Sequence, residues 1–281
     1  MRTAFVVLTY NRSDALLAVL RALAPQCGPT DTVVIADDGS APDHVAAMQR
    51  QLPAFECPVR HVWHPDRGFT ASRARNLGAL HAKAEYLVFM DGDCVPNRFF
   101  VERHLRLAQR SCFLNGSRVL LSERLSRQAI AGVVELPLLR PSDWLRLRLA
   151  GDVNKLTHLL YWPSAPGRVQ DGFRWKGIRS CNFGVWYGDF EAVNGFDETF
   201  SGWGHEDADL VLRLHRQGCR RKNGFMATEV FHLWHPENSR ADEPGNRERV
   251  LLRAQGNQVR ADAGLAELAA DATATVTELN R

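Results

Sequence analysis

Short apolar runs recur through the first hundred residues of this chain, each closing on a polar cluster. Ala4-Phe5-Val6-Val7-Leu8, Thr32-Val33-Val34-Ile35-Ala36 and Tyr86-Leu87-Val88-Phe89-Met90 are unbroken rather than alternating, which predicts strands buried on both faces; residues 59–63, apolar at Val59, Val62 and Trp63, predict a further strand. Between them the apolar positions switch to helical spacing. Leu16, Leu17, Val19, Leu20 and Leu23 behind an N-cap at Ser13 predict one helix; Pro42 and Asp43 open a second through Gln51; residues 70–84 predict a third. Strand and helix in alternation with short connections predict an α/β fold, a mostly parallel central sheet flanked by helices. From 98 to 170 the pattern loosens. Residues 144–149 interleave apolar and basic side chains and 158–162 are apolar and aromatic, which fits an edge strand, a helix covering the core or a segment lying on a membrane surface. The Ala- and Thr-rich stretch 261–281 predicts a terminal helix with a frayed end.

In parallel sheets ligands gather beyond the carboxyl ends of the strands. Three such ends carry polar sets here: Thr9-Tyr10-Asn11-Arg12, Asp37-Asp38-Gly39-Ser40 and Asp91-Gly92-Asp93. Two carboxylates one glycine apart at the end of a buried strand repel each other, and desolvation adds to the cost. A divalent cation relieves it, and oxygen ligands suit Mg²⁺ or Mn²⁺. Alone, Asp-Gly is also an ordinary turn. Its place beside two other polar strand ends favours chemistry.

With 281 residues, 45% hydrophobic and 24% charged, the chain has the balance of a globular protein with a sizeable core. A net charge of +3 gives no basis for nucleic-acid binding. Arginines nevertheless crowd 98–148, a solvated face or one turned to an anionic acceptor or lipid surface. No run approaches the roughly 18 apolar residues of a membrane span, and the first ten residues do not read as a secretory signal. Six scattered cysteines without a C-x-x-C pair predict buried, reduced thiols and a cytoplasmic setting.

These strand ends resemble glycosyltransferase family 2 and related inverting enzymes of the GT-A (nucleotide-diphospho-sugar transferase) fold. Residues 8–12 are similar to the family's opening strand and turn. Asp37-Asp38-Gly39-Ser40 is similar to the segment whose acids contact uracil and ribose, and Ala74-Arg75-Asn76-Leu77-Gly78 to the helix whose Arg and Asn face the nucleotide. Asp91-Gly92-Asp93 resembles the metal-binding D-x-D, with Asp93 the direct ligand. Further on, Gly202-Trp203-Gly204-His205-Glu206-Asp207 resembles the G-W-G-x-E-D signature shared by β-1,4-galactosyltransferases, polypeptide N-acetylgalactosaminyltransferases and chondroitin-type polymerases. The resemblance implies that Asp207 is the general base, that Glu206 contacts the sugar, and that Trp203 and Gly204 line the acceptor side. It also implies Asn182 at the donor sugar, and His232 or His235 as a further metal ligand, with His235 ahead by alignment to an M-x-x-H element.

The implied organisation is a nucleotide-sugar-binding half over 1–97, a metal- and acceptor-binding half over 98–246 and a helical tail over 247–281. The implied partners are a UDP-sugar donor, a glycan or lipid-linked saccharide acceptor and a peripheral contact with the inner membrane, with Mn²⁺ or Mg²⁺ as cofactor. A non-catalytic sugar-binding module on the same fold is the alternative. A haloacid-dehalogenase-type phosphatase would follow its D-x-D with Gly-Thr, where Cys94-Val95-Pro96 stands here. A metal hydrolase would need an H-E-x-x-H helix, which Pro236 opposes.

Overall fold

The computed structural model describes residues 1–236, 242–269 and 273–280. The three apolar runs and residues 59–63 form β1 (Thr3–Thr9), β2 (Asp31–Asp37), β3 (Val59–Trp63) and β4 (Tyr86–Asp91), all parallel and ordered β3-β2-β1-β4. Their continuity follows from double coverage. Phe5, Val7, Val33 and Ile35 pack on one side with α1 (Ser13–Leu23), while Ala4, Val6, Val34 and Ala36 pack on the other with α3 (Ala71–Leu80). Gly78 sits where α3 touches the sheet: a Cβ there would come within 2.7 Å of Val6 Cγ1. The smallest side chain therefore sets the helix–sheet distance. A second helix on the outer edge, α2 (Pro42–Arg50), opens at Pro42 as its sequence predicts. Ser13 begins α1 rather than capping it, because its hydroxyl bonds His44 Nδ1 at 3.1 Å.

The parallel pattern stops at β4. The chain continues through β5 (Cys94–Pro96), α4 (Phe100–Leu107), β6 (Cys112–Asn115), β7 (Ser117–Leu120), α5 (Glu123–Ile130), α6 (Pro141–Leu149) and β8 (Val169–Gln170). Next come β9 (Asn182–Trp186), α7 (Tyr187–Ala192), α8 (Glu206–Arg216), β10 (Arg220–Asn223), β11 (Glu229–His232), α9 (Glu243–Gln255), α10 (Leu265–Leu268) and β12 (Thr275–Glu278). β9 inserts antiparallel between β4 and β6. The described residues give a nine-stranded mixed sheet, β12-β3-β2-β1-β4-β9-β6-β10-β8, and a three-stranded sheet, β5-β11-β7. The α/β architecture expected from the sequence is present, but past β4 the pairing is mixed: β9 runs antiparallel to β4 and β6, while β6–β10 and β7–β11 are parallel. Both halves share one sheet.

Two segments differ from expectation. Of the tail predicted as helix, Leu265–Leu268 forms the short α10, whereas Thr275–Glu278 pairs as β12 along the outer edge of β3, where Arg60 Nε donates to Glu278 Oε1 at 2.7 Å and Val59 N to Asn280 Oδ1 at 2.7 Å. Residues 270–272 and 281 of that prediction lie outside the described residues. Pairing satisfies the open edge of β3, a gain that local composition cannot register. Residues 144–149 belong to α6, which covers the core through Trp144, stacked on Phe231 at 4.6 Å; Leu145 and Leu149 stay exposed. Among the described residues no helix is long and apolar enough to cross a membrane.

Helix α8 is fixed by charge in the interior. Asp209 and Arg213, both wholly buried, pair within one turn at 2.7 Å. Arg253 of α9 reaches Asp209 at 2.6 Å and Asp197 at 2.8 Å, and Arg213 donates to the Val193 and Gly195 carbonyls. Such a network stands only with all partners present, because a lone buried charge is uncompensated. Replacing Arg213 by Met, which strands Asp209 and Asp197 against Arg253 alone, should cost about 3–5 kcal/mol. Urea unfolding of the variant beside the parent checks this.

Candidate active site

The loop after β4 is pinned across β1. Gly92 N donates to Leu8 O at 2.7 Å, and a Cβ on Gly92 would stand only 2.7 Å from that oxygen, so the turn between the two acids requires glycine. Beyond it, β5 pairs antiparallel with β11, setting Cys94 opposite His232, and Leu233 N donates to Asp93 O at 2.9 Å. These bonds bring together residues 140 positions apart: Asp93 Oδ2 lies 3.3 Å from His235 Nε2, and Asp93 Oδ1 lies 3.8 Å from His232 Nε2.

Proton positions at His235 follow from its neighbours. Its Nδ1 faces Pro236 O at 2.7 Å, and a carbonyl only accepts, so Nδ1 carries hydrogen and Nε2 is the nitrogen turned to Asp93. Burial lowers the His232 pKa, with Asp93 opposing, and so favours the neutral ligand form. Cys94 Sγ lies 3.5 Å from Asp93 Oδ1, but burial raises its pKa well above the usual thiol value, so it stays a thiol donor. One carboxylate and two imidazoles are a donor set that fits a divalent ion such as Mn²⁺.

On the other side of the D-x-D turn, Arg75 is buried between two carboxylates: NH2 bonds Asp91 at 2.9 Å and NH1 bonds Glu206 at 3.3 Å. Its place on α3 thereby ties the end of β4 to the start of α8. Glu206 Oε2 is buried with no hydrogen-bond partner. The approach to α8 is left-handed at Gly202 (φ 71°), Gly204 (φ 105°) and His205 (φ 71°). A Cβ on Gly202 would also fall 2.0 Å from Asp242 Oδ2. This tight turn leaves Trp203 37% exposed and puts Glu206 and Asp207 in the first turn of α8. Desolvation, then the Glu206 charge, raises the Asp207 pKa to about 7, against the pull of the Ala208 amide and Arg75. A half-buried carboxylate poised near neutrality is suited to accepting a proton.

Other residues implicated by sequence stand elsewhere in the architecture. Asn76 is wholly buried and commits its amide to Phe196 N, Phe196 O and Glu198; it braces the 195–198 segment instead of facing a nucleotide. Asn182 is likewise consumed, bonding His104, Ser117 O and Thr228 O where β9, β7 and β11 meet, so it holds strands together and offers no free amide to a donor sugar. Asp37 accepts from Ser40 N at 2.8 Å and lies 2.8 Å from His61 Nε2. Asp38 accepts from Thr70 N at 2.9 Å and lies 3.2 Å from His64 Nε2. Of the first strand end, Thr9 is buried and Tyr10 OH donates to Asp66. Asn11, at φ 49°, accepts from Ala41 N, and Arg12 pairs with Asp14. Sequence reasoning missed His61, His64 and Thr70, the partners of the Asp37-Asp38 pair. The signal available was the polar alternation Arg60-His61 in β3 followed by His64.

The chain matches the family model of glycosyl transferase family 2 over residues 4–120 and that of the N-terminal domain of galactosyltransferase over residues 170–236. It is 27% identical over 274 residues to the chondroitin synthase of Escherichia coli, an alignment covering 90% of this chain and 36% of that protein; the chain thus spans about a third of its relative's length. Among solved structures it is similar to S. aureus TarS 1–349 in complex with UDP, with a TM-score of 0.58 at 14% identity over 95% of this chain and 68% of that one. It is also similar to the mannosyltransferase PcManGT of Pyrobaculum calidifontis in complex with GDP-Man and Mn²⁺, with a TM-score of 0.56 at 16% identity over 95% and 66%. Identities this low establish shared architecture alone. The two family models match successive parts of this one chain, and the chain has the GT-A fold of these solved structures.

Proposed function

We propose that the protein is an inverting, divalent-metal-dependent glycosyltransferase that moves a hexose of the Gal, GalNAc or Glc type from a UDP-sugar to an acceptor hydroxyl. The observation that carries this reading is the joining, through Arg75 and Asp91, of a cation-fitting set (Asp93, His232, His235) to Glu206 and its neighbour Asp207, whose carboxyl is poised near neutrality. The TarS likeness in complex with UDP supports a uridine donor, and the PcManGT likeness in complex with Mn²⁺ supports a divalent ion. The acceptor proposed is a glycan or lipid-linked saccharide of a cell-surface polysaccharide, a reading supported by the chondroitin synthase relative. The exposed Leu145 and Leu149 beside Arg146 and Arg148 support peripheral contact with a cytoplasmic membrane face.

In this mechanism Asp207 takes the proton of the acceptor hydroxyl as its oxygen bonds the anomeric carbon, and the bond to the nucleotide diphosphate breaks on the opposite face. Glu206 offers its unpartnered oxygen to a sugar hydroxyl and adds negative charge beside an oxocarbenium-like centre. Trp203 gives the acceptor ring a flat face. A bound divalent ion would neutralise charge on the departing diphosphate. Asp93, His232 and His235 would hold that ion, and Arg75 keeps the D-x-D turn and the base in one frame.

Asp207→Asn should lower turnover by about 10²–10⁴-fold while UDP in the presence of Mn²⁺ still raises the melting temperature. The unaltered protein should gain activity with rising pH as Asp207 ionises, through an apparent value at or below about 7, because a bound cation can only pull it down. A flat profile from pH 5.5 to 8, or full activity in the Asn variant, would remove Asp207 from the role. The stability sign is opposite: a carboxyl whose folded value lies above its unfolded 3.8 weakens the fold as pH rises from there to about 7. Asp207→Asn should therefore melt higher than the parent by a margin that grows across that window and then levels. Chelation with EDTA should abolish donor turnover and Mn²⁺ should restore it. Asp93→Asn should weaken Mn²⁺ by at least the ~10–100-fold lost when even outer-sphere partners are removed, read by isothermal titration. A sugar-binding module without turnover predicts instead that no UDP-sugar is hydrolysed by the unaltered protein under any of these conditions.

A further inference from the structure

A cleft of about 270 Å³ opens beside the metal-side histidines, between β7, β10 and the 154–155 and 177–179 segments. Four cationic side chains line it: Arg118, Lys155, Arg179 and Arg221; its lining contains no carboxylate. Glu229, an acid that acts on Lys155, is wholly buried, and one of its oxygens accepts from Met226 N at 2.6 Å. Like charges gathered this way repel. Burial lowers the pKa of Lys155, with Arg179 and Arg118 lowering it further, and burial with Arg174 and Arg179 lowers that of Arg221. The Nε atoms of Arg118 and Arg221 are buried without hydrogen-bond partners, while Arg221 donates through one Nη to the Arg174 and Lys176 carbonyls and Lys155 Nζ to Ser117 Oγ. Phe225 lies on the same rim, 39% exposed, with Lys155 Nζ 5.6 Å from its ring centre. Cations beside an open aromatic face suit an acidic sugar: the ring stacks while its charge is paired.

Position ties the cleft to the reaction. Leu120, at its edge, is the register partner of His232 in the β7–β11 pair. Arg118 stands two residues back along β7, about 7 Å. We infer that this cleft binds an anionic saccharide, and that the acceptor carries a carboxylate or phosphate one or two units from the hydroxyl that is glycosylated. This rests on the transfer reading and names the acceptor class for it.

Isothermal titration at low ionic strength tests the cleft without turnover. The probes are a tetrasaccharide of hexuronic acids, its carboxyl-reduced neutral counterpart and a hexose 1-phosphate. At least one anionic probe should bind about tenfold or more tighter than the neutral one and weaken as salt is raised; whichever binds distinguishes carboxylate from phosphate. Lys155→Gln and Arg179→Gln should each lower that affinity about tenfold, and Arg179→Lys should recover most of it, with melting temperatures unchanged across the set. Equal affinity for the neutral probe, no binding of either anionic probe, or indifference to both Gln variants would overturn the assignment. So would displacement of the probe by UDP together with an equal loss of UDP affinity in Arg179→Gln, which would give the cleft to the donor diphosphate. Donor hydrolysis, followed in parallel, keeps the two readings apart: its absence from the unaltered protein would count against transfer and leave the binding result standing.

Discussion

Negative charge gathered at the junction of two half-sheets governs this molecule. Asp91, Asp93, Glu206 and Asp207 converge there, and the one buried cation set among them, Arg75, is already shared between Asp91 and Glu206. What remains is a carboxylate facing two imidazoles and a second carboxylate held near its protonation midpoint at neutral pH. Both residues of that excess find relief in the proposed chemistry, one by a divalent ion and the other by a proton from the incoming alcohol. An interior arranged for stability alone would neutralise these groups in place.

The rest of the fold holds this unfavourable arrangement in position. Gly92 lets the acidic turn press on β1, and the Leu233 amide locks Asp93 beside β11. The buried Asp209–Arg213–Arg253–Asp197 network sets helix α8, so Asp207 cannot drift from its neighbours to lower its own cost. Asn76 and Asn182, polar and wholly consumed, do the same for the 195–198 segment and for β9. The positive cleft lined by Arg118, Lys155, Arg179 and Arg221 lies on the far side of His232. The protein thus separates an acid-rich region from a base-rich one by a single strand pair.

Much of this was legible before any coordinates. Unbroken apolar runs specify strands covered on both faces, and the three that show them are β1, β2 and β4 at the centre of the parallel first half. The acids at their ends and the Gly-Trp-Gly approach to Glu206-Asp207 mark a site by residue type and spacing, since a left-handed turn before an acidic helix start is written in glycines. The strands of the second half are short, two to five residues, and too brief for a period to declare itself. β12 was invisible for a different reason: its pairing partner lies more than two hundred residues away.

The chain's own order of residues determined the α/β layering of the first hundred positions, the acidic strand ends and the family resemblance, because these depend on neighbours within a few positions. Only the tertiary structure decided which polar groups are spent and which are left over. Asn76 and Arg75 are adjacent on one helix; one is sealed into bracing and the other bridges two carboxylates. Whether His235 meets Asp93, and whether four scattered cations share a cleft, depends on strand register across the whole chain. Unsatisfied charge is a property of the packed assembly, and no local stretch of sequence can state it.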